Sequence, residues 1–287
     1  MTAASTDAKL PAGDIFHFEA IGTHWWIEDL ANRALNNQTK QVVLAEASRF
    51  DVAYSRFIDD SLVGRLNRGE RITGPTDELL RMFAFARQMH DASGGAFDIT
   101  VGGVLHGLGY GSRQRAGRVE TNFWRRAHID DDYVQLPPGA VIDFGGFGKG
   151  WLIDRFADTV RAEGIAQFIV NGGGDLYVQS TQPIEIALEH PTNARLSVGS
   201  TRITTGALGV SSPYKRTWTH DGAAQHHLID PVTSRPSTSD VASSYVRADT
   251  ALTADAMATI LLLRPELEAA LSHRFGLRTI LLRQDQL

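Results

Sequence analysis

Apolar residues recur at helical spacing in several stretches of the chain. Between Gln38 and Phe57 they return every seven positions, at Val43, Phe50 and Phe57, which predicts a helix. Capping residues, glycines and a proline mark the ends of the other helical stretches. The pattern therefore predicts helices over 38–57, 61–67, 76–93, 151–163 and 252–263.

Strict alternation of apolar and polar residues, or a short apolar run, marks the predicted strands. Residues 16–27 alternate around Gly22, which predicts two strands or one bent strand. Further strands are predicted over 141–142, 167–170, 226–231, 241–248 and 277–282, with several short ones between 184 and 211. Helices and strands are mixed without regular alternation, and this favours an α+β fold.

The composition narrows the class of protein. With 287 residues, 43% of them hydrophobic and 21% charged, the chain has the composition of an ordinary globular protein. We expect a flexible leader over 1–13 and one domain over 14–287. The net charge of −5 carries no basic run, so the sequence predicts no nucleic-acid partner. The absence of cysteine excludes disulfides and thiol catalysis.

Membrane and export signals are missing from the sequence as it stands. No apolar run has the length of a transmembrane helix, and residues 1–13 have no apolar signal core. We therefore predict no transmembrane segment and a cytoplasmic location. An exported or membrane-anchored protein whose signal is not included in this sequence is the alternative.

A glycine-rich loop, Gly145–Gly150, follows the predicted strand at 141–142 and leads into a predicted helix. Such a loop lets backbone N–H groups and the positive end of the helix approach a phosphate, and Lys149 adds a cation. The loop matches neither the Walker motif nor the dinucleotide fingerprint, because Gly150 and Trp151 stand where those motifs need other residues. The loop thus predicts a phosphate site or a simple tight connection.

Asp255 and Thr259 stand four residues apart in the predicted helix over 252–263. Their oxygens therefore project from one face, a pairing that suits Mg²⁺. A solvated aspartate beside a threonine bonded to its own helix is the alternative. Because the surrounding residues are apolar, an uncompensated carboxylate would be costly there, and this favours a metal ligand.

His227 is a candidate proton acceptor or a structural histidine. Its neighbour His226 points to the opposite side of the predicted strand, so the pair is a poor zinc site.

Several motifs, in order along the chain, resemble the ApbE-type FAD:protein FMN transferases. The similar segments are Ile21-Gly22-Thr23, Ser55 to Asn67, Ala96 to Thr100, Gly109 to Gly111, Asp143 to Gly150, Asn171 to Asp175, His227 to Pro231 and Ala254 to Thr259. Single motifs of this length are weak, whereas eight in the family's order carry the resemblance.

The resemblance implies a fold, an activity and a set of site residues. The implied fold is the family's α+β fold with two lobes. The implied reaction is Mg²⁺-dependent transfer of FMN from FAD to a threonine or serine of an acceptor flavoprotein, with release of AMP. Lys149, His227 and Asp255 are the implied catalytic residues. The implied FAD-binding residues are Ile21, Phe57, Ala96, Phe97, Asp98, Asp143, Lys149 and Ile229. The implied Mg²⁺ ligands are the Gly146 carbonyl, Asp255 and Thr259.

Two other activities stay open from the sequence. A pyrophosphatase that hydrolyses FAD to FMN and AMP would use the same residues. A flavin-binding protein without turnover is the other possibility, because Ile21 and Val210 to Ser212 depart from the family pattern.

Overall fold

The structure is a computed structural model that describes residues 15–111 and 117–287, and the predicted leader over 1–13 lies outside these ranges. Its strands are β1 (Phe16–Ala20), β2 (Thr23–Asp29), β3 (Ile72–Thr73), β4 (His128–Ile129), β5 (Tyr133–Gln135), β6 (Phe168–Gly172), β7 (Asp175–His190), β8 (Asn193–Ser211), β9 (Thr217–His220), β10 (Ala223–His226), β11 (Ile229–Asp230), β12 (Arg235–Pro236), β13 (Val241–Ala248) and β14 (Arg278–Arg283). Its helices are α1 (Asn37–Tyr54), α2 (Leu62–Asn67), α3 (Asp77–Ala92), α4 (Gly102–Gly107), α5 (Phe123–Arg126), α6 (Gly148–Ala162), α7 (Ala251–Leu263) and α8 (Glu268–Phe275), with short 3₁₀ turns at Ile99–Val101, Pro265–Leu267 and Gln284–Gln286.

A seven-stranded antiparallel sheet forms the centre of the fold, in the order β1-β2-β6-β7-β8-β13-β14. Helices α6 and α7 pack against this sheet and against each other, and α1 packs on α6. Their apolar faces join the sheet in the main core, which includes Phe156, Met257 and Trp25. The mixture of an antiparallel sheet and packed helices is the predicted α+β fold.

The β7–β8 hairpin bends back over the sheet. Its pairing is irregular between Gln179 and Ile184, where extra residues of β7 bulge out. Beyond the bulge, the Tyr245 hydroxyl donates to the carbonyl oxygen of Glu189 at 2.5 Å. Leu188 also shares a buried cluster with residues at the start of β7. The segment over 184–211 thus forms one long hairpin, and the prediction of several short strands there was wrong.

The predicted strand at Val141–Ile142 is also absent. The side chain of Asn67 replaces a neighbouring strand, because its amide donates to the Ile142 carbonyl at 3.0 Å and its oxygen accepts from the Ile142 N–H at 2.8 Å. Residues 141–144 therefore belong to no helix or strand, and all of them except the half-buried Asp143 are buried.

Other boundaries differ by a few residues. Helix α1 ends at Tyr54, three residues before the predicted end, so Phe57 lies in a loop. The segment over 226–231 divides between β10 and β11. In the described residues, no helix is long and apolar enough to span a bilayer. That the chain forms a single domain stays a prediction.

Candidate active site

A cavity of about 810 Å³ opens between the helical layer and the loops at one end of the sheet. All twelve residues that the sequence predicts for the site lie in its wall: Ile21, Phe57, Ala96, Phe97, Asp98, Asp143, Gly146, Lys149, His227, Ile229, Asp255 and Thr259. They come from loops and helices far apart in the chain, and the fold brings them to one place.

Lys149 occupies the inner end of this cavity, where α6 begins. Its Nζ lies 2.8 Å from Asp255 Oδ1 and 2.5 Å from Asp175 Oδ2. Both carboxylates are almost completely buried. Burial alone would lower the pKa of Lys149, but the two negative charges outweigh it and the pKa is raised. The ammonium therefore stays charged at neutral pH.

Asp255 is held from two sides. Besides Lys149, the backbone N–H of Gly150 donates to its Oδ2 at 2.9 Å. Glycine is needed at position 150 because a Cβ there would lie 2.3 Å from the carbonyl oxygen of Ala251, at the crossing of α6 and α7. Burial nevertheless raises the pKa of Asp255 to about 6, and the nearby Asp175 carboxylate acts in the same direction.

The chemistry of these donors fits a hard cation. Two carboxylates share one ammonium, and Thr259 adds a hydroxyl whose Oγ1 lies 3.0 Å from the Ser211 hydroxyl. Oxygen donors of this kind suit Mg²⁺. Since Lys149 and Gly150 already compensate the buried Asp255, the cost of burial does not by itself demand a metal. The described residues contain no group of three or more His, Cys, Asp or Glu placed to hold a metal.

The outer part of the cavity combines an exposed aromatic ring with an arginine that is paired with a carboxylate. Phe57 is 57% exposed and its ring lies 4.2 Å from the guanidinium of Arg56. Arg56 Nε donates to Asp143 Oδ2 at 2.7 Å and its Nη2 donates to the Tyr110 carbonyl at 3.0 Å. An exposed ring beside a fixed cation offers a flat face to an aromatic ligand.

Ile21 and Gly22 form the two-residue turn between β1 and β2, at the rim of the cavity. Both have positive φ, 41° and 72°. This turn matches the twist of the hairpin, but it is strained at a β-branched residue such as isoleucine. Backbone strain of this kind often accompanies a functional site.

Asp98 forms a closed local network in the same wall. Its Oδ1 accepts from the backbone N–H and the hydroxyl of Thr100, each at 2.7 Å. Burial raises the pKa of the Asp98 carboxyl in spite of these bonds.

His227 is neutral in this environment. Its pKa is lowered to about 3, first by burial and then by the positive charges of Arg216 and Lys149. Its Nδ1 is buried and has no hydrogen-bond partner within the described ranges. A neutral imidazole with an unoccupied ring nitrogen can accept a proton.

The wall also contains polar residues that were not predicted as site residues, among them Arg56, Ser211 and Arg216. Asp175 was not predicted as a site residue either; it is buried behind the wall and contacts Lys149. Asp175 ends the glycine motif over 171–175, so that motif is the signal that could have included it. Arg56 likewise lies in the motif over 55–67, whereas Ser211 and Arg216 lie in none of the eight motifs.

A family model described as the ApbE family matches residues 21–277. The chain belongs to the ApbE family. The predicted family is therefore confirmed, over nearly the whole of the described structure.

Two relatives named FAD:protein FMN transferase align with most of this ApbE-family chain. It is 28% identical over 278 residues to the FAD:protein FMN transferase of Salmonella typhimurium, with 88% of this chain and 79% of the relative covered. The FAD:protein FMN transferase of Vibrio cholerae is 28% identical over 231 residues, covering 74% of this chain and 69% of the relative. These relatives are enzymes, in agreement with the predicted class of protein.

Solved structures confirm the predicted fold. The ApbE protein of Thermotoga maritima superposes with a TM-score of 0.80 at 22% identity, covering 94% of each chain. The flavinyl transferase ApbE of Pseudomonas stutzeri superposes with a TM-score of 0.78 at 24% identity, covering 95% of this chain and 92% of that one.

Proposed function

We propose that this protein transfers FMN from FAD to a threonine or serine hydroxyl of an acceptor flavoprotein and releases AMP, with Mg²⁺ as the metal. The observation that supports the proposal is a single cavity that joins an exposed aromatic wall to a buried cluster of ammonium, carboxylates and hydroxyl. FAD has the same two parts, an aromatic ring system and a pyrophosphate. The names of the relatives point to the same reaction.

In this proposal, the outer wall binds the ring systems of FAD and the inner cluster binds the pyrophosphate. Phe57 offers a ring face, and the loop around Ile21 closes the rim. Ala96, Phe97, Asp98, Asp143 and Ile229 complete the binding wall. Lys149 contacts the pyrophosphate, because it adds a positive charge at the N-terminal end of α6.

Asp255, Thr259 and the Gly146 carbonyl would hold Mg²⁺, which when bound neutralises charge on the pyrophosphate. Gly146 suits this role, since a Cβ there would lie 3.1 Å from the ring of Phe97 and would crowd that side of the cavity. Lys149 neutralises the negative charge that develops on the leaving AMP.

The reaction replaces the phosphoanhydride bond of FAD by a phosphoester bond to the acceptor. The acceptor hydroxyl oxygen forms a bond to the FMN phosphorus, and the bond from that phosphorus to the bridging pyrophosphate oxygen breaks. AMP leaves with the bond's electron pair, and the hydroxyl proton moves to a base. We assign the base to Nδ1 of His227, which is neutral and unpaired in the described structure. A bound anion would offset the charges of Arg216 and Lys149, and would raise the pKa of His227 toward the operating range.

The test uses a peptide with an Asp-Gly-x-Thr-Gly-Ala-Thr segment, together with FAD and MgCl₂. We expect the peptide to gain the mass of one FMN less water, with one AMP released per peptide modified. A matched peptide with valine in place of both threonines should stay unmodified.

Two outcomes would contradict the proposal. FMN and AMP appearing at equal rates with and without the peptide, and no gain in mass, would make the protein an FAD pyrophosphatase. Bound FAD without release of AMP would make it a flavin-binding protein.

A further inference from the structure

Helices α6 and α7 meet at their N-terminal ends, and each is capped by a carboxylate from the other. Asp154 of α6 accepts hydrogen bonds from the backbone N–H groups of Ala251 at 2.8 Å and Leu252 at 2.9 Å. In return, Asp255 of α7 accepts from the N–H of Gly150 at 2.9 Å. First-turn amides have no partner within their own helix, and the two carboxylates satisfy three of them, at Ala251, Leu252 and Gly150.

This reciprocal capping sets the relative position of the two helices at the site. Asp154 lies five residues after Lys149 on α6, and the amides it binds lie three and four residues before Asp255 on α7. At this crossing the two backbones are in close contact, since even a Cβ on Gly150 would lie 2.3 Å from the Ala251 carbonyl oxygen. A shift of α7 along α6 would therefore move Asp255 relative to Lys149.

We propose that Asp154 is a positioning residue for the transfer reaction, acting by holding Asp255 in register with Lys149. The inference rests on the proposed function for its kinetic consequence. Asp154 is not part of the cavity wall, so it acts through α7 and does not contact the substrate.

The geometry explains why a carboxylate is required at this position. Both oxygens of Asp154 accept a backbone N–H, and only a carboxylate offers two acceptors at this spacing. An asparagine would satisfy one amide and turn its own NH₂ group toward the other. Asp154→Asn should thus disturb the register of α7 with almost no change in side-chain volume.

The kinetic experiment compares Asp154→Asn and Asp154→Ala with Asp158→Asn as the matched control. Asp158 lies on the same helix, is exposed and pairs with Arg161. At a temperature where all variants are folded, we expect kcat to fall by about tenfold or more in both Asp154 variants, as for partners that orient a catalytic ligand. KM for FAD should stay within about twofold, because the wall of the cavity is unchanged. Asp158→Asn should match the wild type.

A double-mutant cycle separates positioning from simple helix capping. If Asp154 acts through Asp255, Asp154→Asn should have little further effect on AMP release in an Asp255→Asn background. A plain cap would lower the melting temperature and leave kcat unchanged, and that result would overturn the proposal. Fully additive losses in the cycle would overturn it as well.

A structural readout keeps the inference separate from the proposed function. The Gly150 amide reports directly on Asp255, since it donates to that carboxylate. Its hydrogen exchange, measured by NMR, should accelerate by about tenfold or more in Asp154→Asn and stay unchanged in Asp158→Asn. If the wild type shows no transferase activity, the proposed function fails, and this measurement alone decides whether Asp154 positions Asp255. Unchanged protection of Gly150 in both Asp154 variants would refute the positioning role.

Discussion

Lys149 holds its ammonium between two buried carboxylates, 2.8 Å from Asp255 and 2.5 Å from Asp175. One positive charge among two negative ones leaves a local excess of negative charge. A dianionic pyrophosphate could not enter such a site without a cation of its own. The residue contacts thus give a physical reason for Mg²⁺ in the proposed reaction, independent of the helical spacing of Asp255 and Thr259.

Replacing Lys149 by methionine should lower the affinity for FAD by more than tenfold and leave the affinity for riboflavin almost unchanged. The lost contact is to the pyrophosphate, which riboflavin lacks. Quenching of flavin fluorescence measures both affinities. The control is Lys40→Met, near the start of α1 and outside the cavity wall. Equal losses for both flavins would show that Lys149 supports the fold without contacting phosphate. Because the variant leaves two buried carboxylates unpaired, its folding must be verified first.

Asp255→Ala should lower Mg²⁺-dependent turnover by about a hundredfold or more, the range typical of lost charge stabilisation in a transition state. The reason is the loss of the proposed metal ligand together with the partner of Lys149. AMP release at saturating FAD measures the effect across a titration of MgCl₂. Turnover equal to that of the wild type at high Mg²⁺ would show that Asp255 is not a required ligand.

His227 should make the protein sensitive to acid. Its pKa is about 3 in the folded state, against about 6.5 for a histidine in an unfolded chain. Between these values the unfolded state binds more protons, so stability falls as the pH drops below 6.5. His227→Gln removes this contribution. Between pH 6.5 and 5.5, the free energy of unfolding of the wild type should fall by about 1 kcal/mol relative to that of the variant.

Urea unfolding at each pH measures this difference. At pH 8 histidine is neutral in both states, so the comparison there gives the baseline between the two proteins. If the free energies of unfolding of the wild type and of His227→Gln change in parallel from pH 8 to pH 5, the His227 ring is not buried as a neutral group.

At the scale of elements, two glycines at the start of α6 differ in their distance from α7, so we expect their replacement by alanine to have different effects on stability. A Cβ on Gly148 would meet only the ring of Phe50 at 3.7 Å, an ordinary contact, whereas a Cβ on Gly150 would lie 2.3 Å from the Ala251 carbonyl oxygen. Gly148→Ala should therefore be neutral or stabilise by about 0.5 kcal/mol, as expected for alanine in a helix. Gly150→Ala should destabilise by about 1–3 kcal/mol through overpacking.

Urea unfolding and FAD affinity test this pair together. Gly150→Ala should also weaken FAD binding, because the added Cβ would push the start of α6, and Lys149 with it, out of place in the cavity. Gly148→Ala should leave FAD binding unchanged. Equal effects of the two substitutions would indicate that α6 and α7 are less closely packed than the structure shows.

The elements that the sequence predicted well are those whose signal is local. Strand β13 begins and ends at the predicted residues, and Ser61 caps α2 as expected, with its hydroxyl accepting from the Gly64 N–H at 2.8 Å. The prediction of a strand over 141–142 was wrong because the backbone there is hydrogen-bonded to the side chain of Asn67, 75 residues away. Apolar runs predict an extended buried backbone, but they do not reveal what pairs with it.

The prediction of several short strands in place of the long β7–β8 hairpin was wrong for a related reason. In the outer part of β7, Ile184, Ile186 and Leu188 alternate with exposed residues, whereas residues 193–200 of β8 are almost all exposed and do not alternate. The bend at Gln179–Ile184 depends on packing across the hairpin, as does the contact of Tyr245 with Glu189. Tertiary contacts of this kind leave no periodic pattern in the sequence.

At the scale of the whole molecule, the site illustrates what short motifs can and cannot predict. All twelve predicted residues lie in the wall of one cavity. They could be predicted because each belongs to one of the eight motifs, whose order along the chain resembles that of the family. Arg56 and Ser211 also reach it, through contacts with Asp143 and Thr259. Such partners lie 87 and 48 residues apart in sequence, and only the fold shows that they meet.

The cavity draws its wall from segments between Ile21 and Leu263, so FAD should stabilise the folded protein as one unit. A ligand that binds only the folded state, at a free concentration of about 100 times its Kd, raises the free energy of unfolding by about 2.7 kcal/mol. For a chain of this size we expect Tm to rise by roughly 5 °C. Scanning calorimetry with MgCl₂ should show one transition that moves as a whole with FAD and less with riboflavin. Two transitions, of which FAD moves only one, would contradict the prediction of a single domain over 14–287, because part of the chain would then unfold independently of the site.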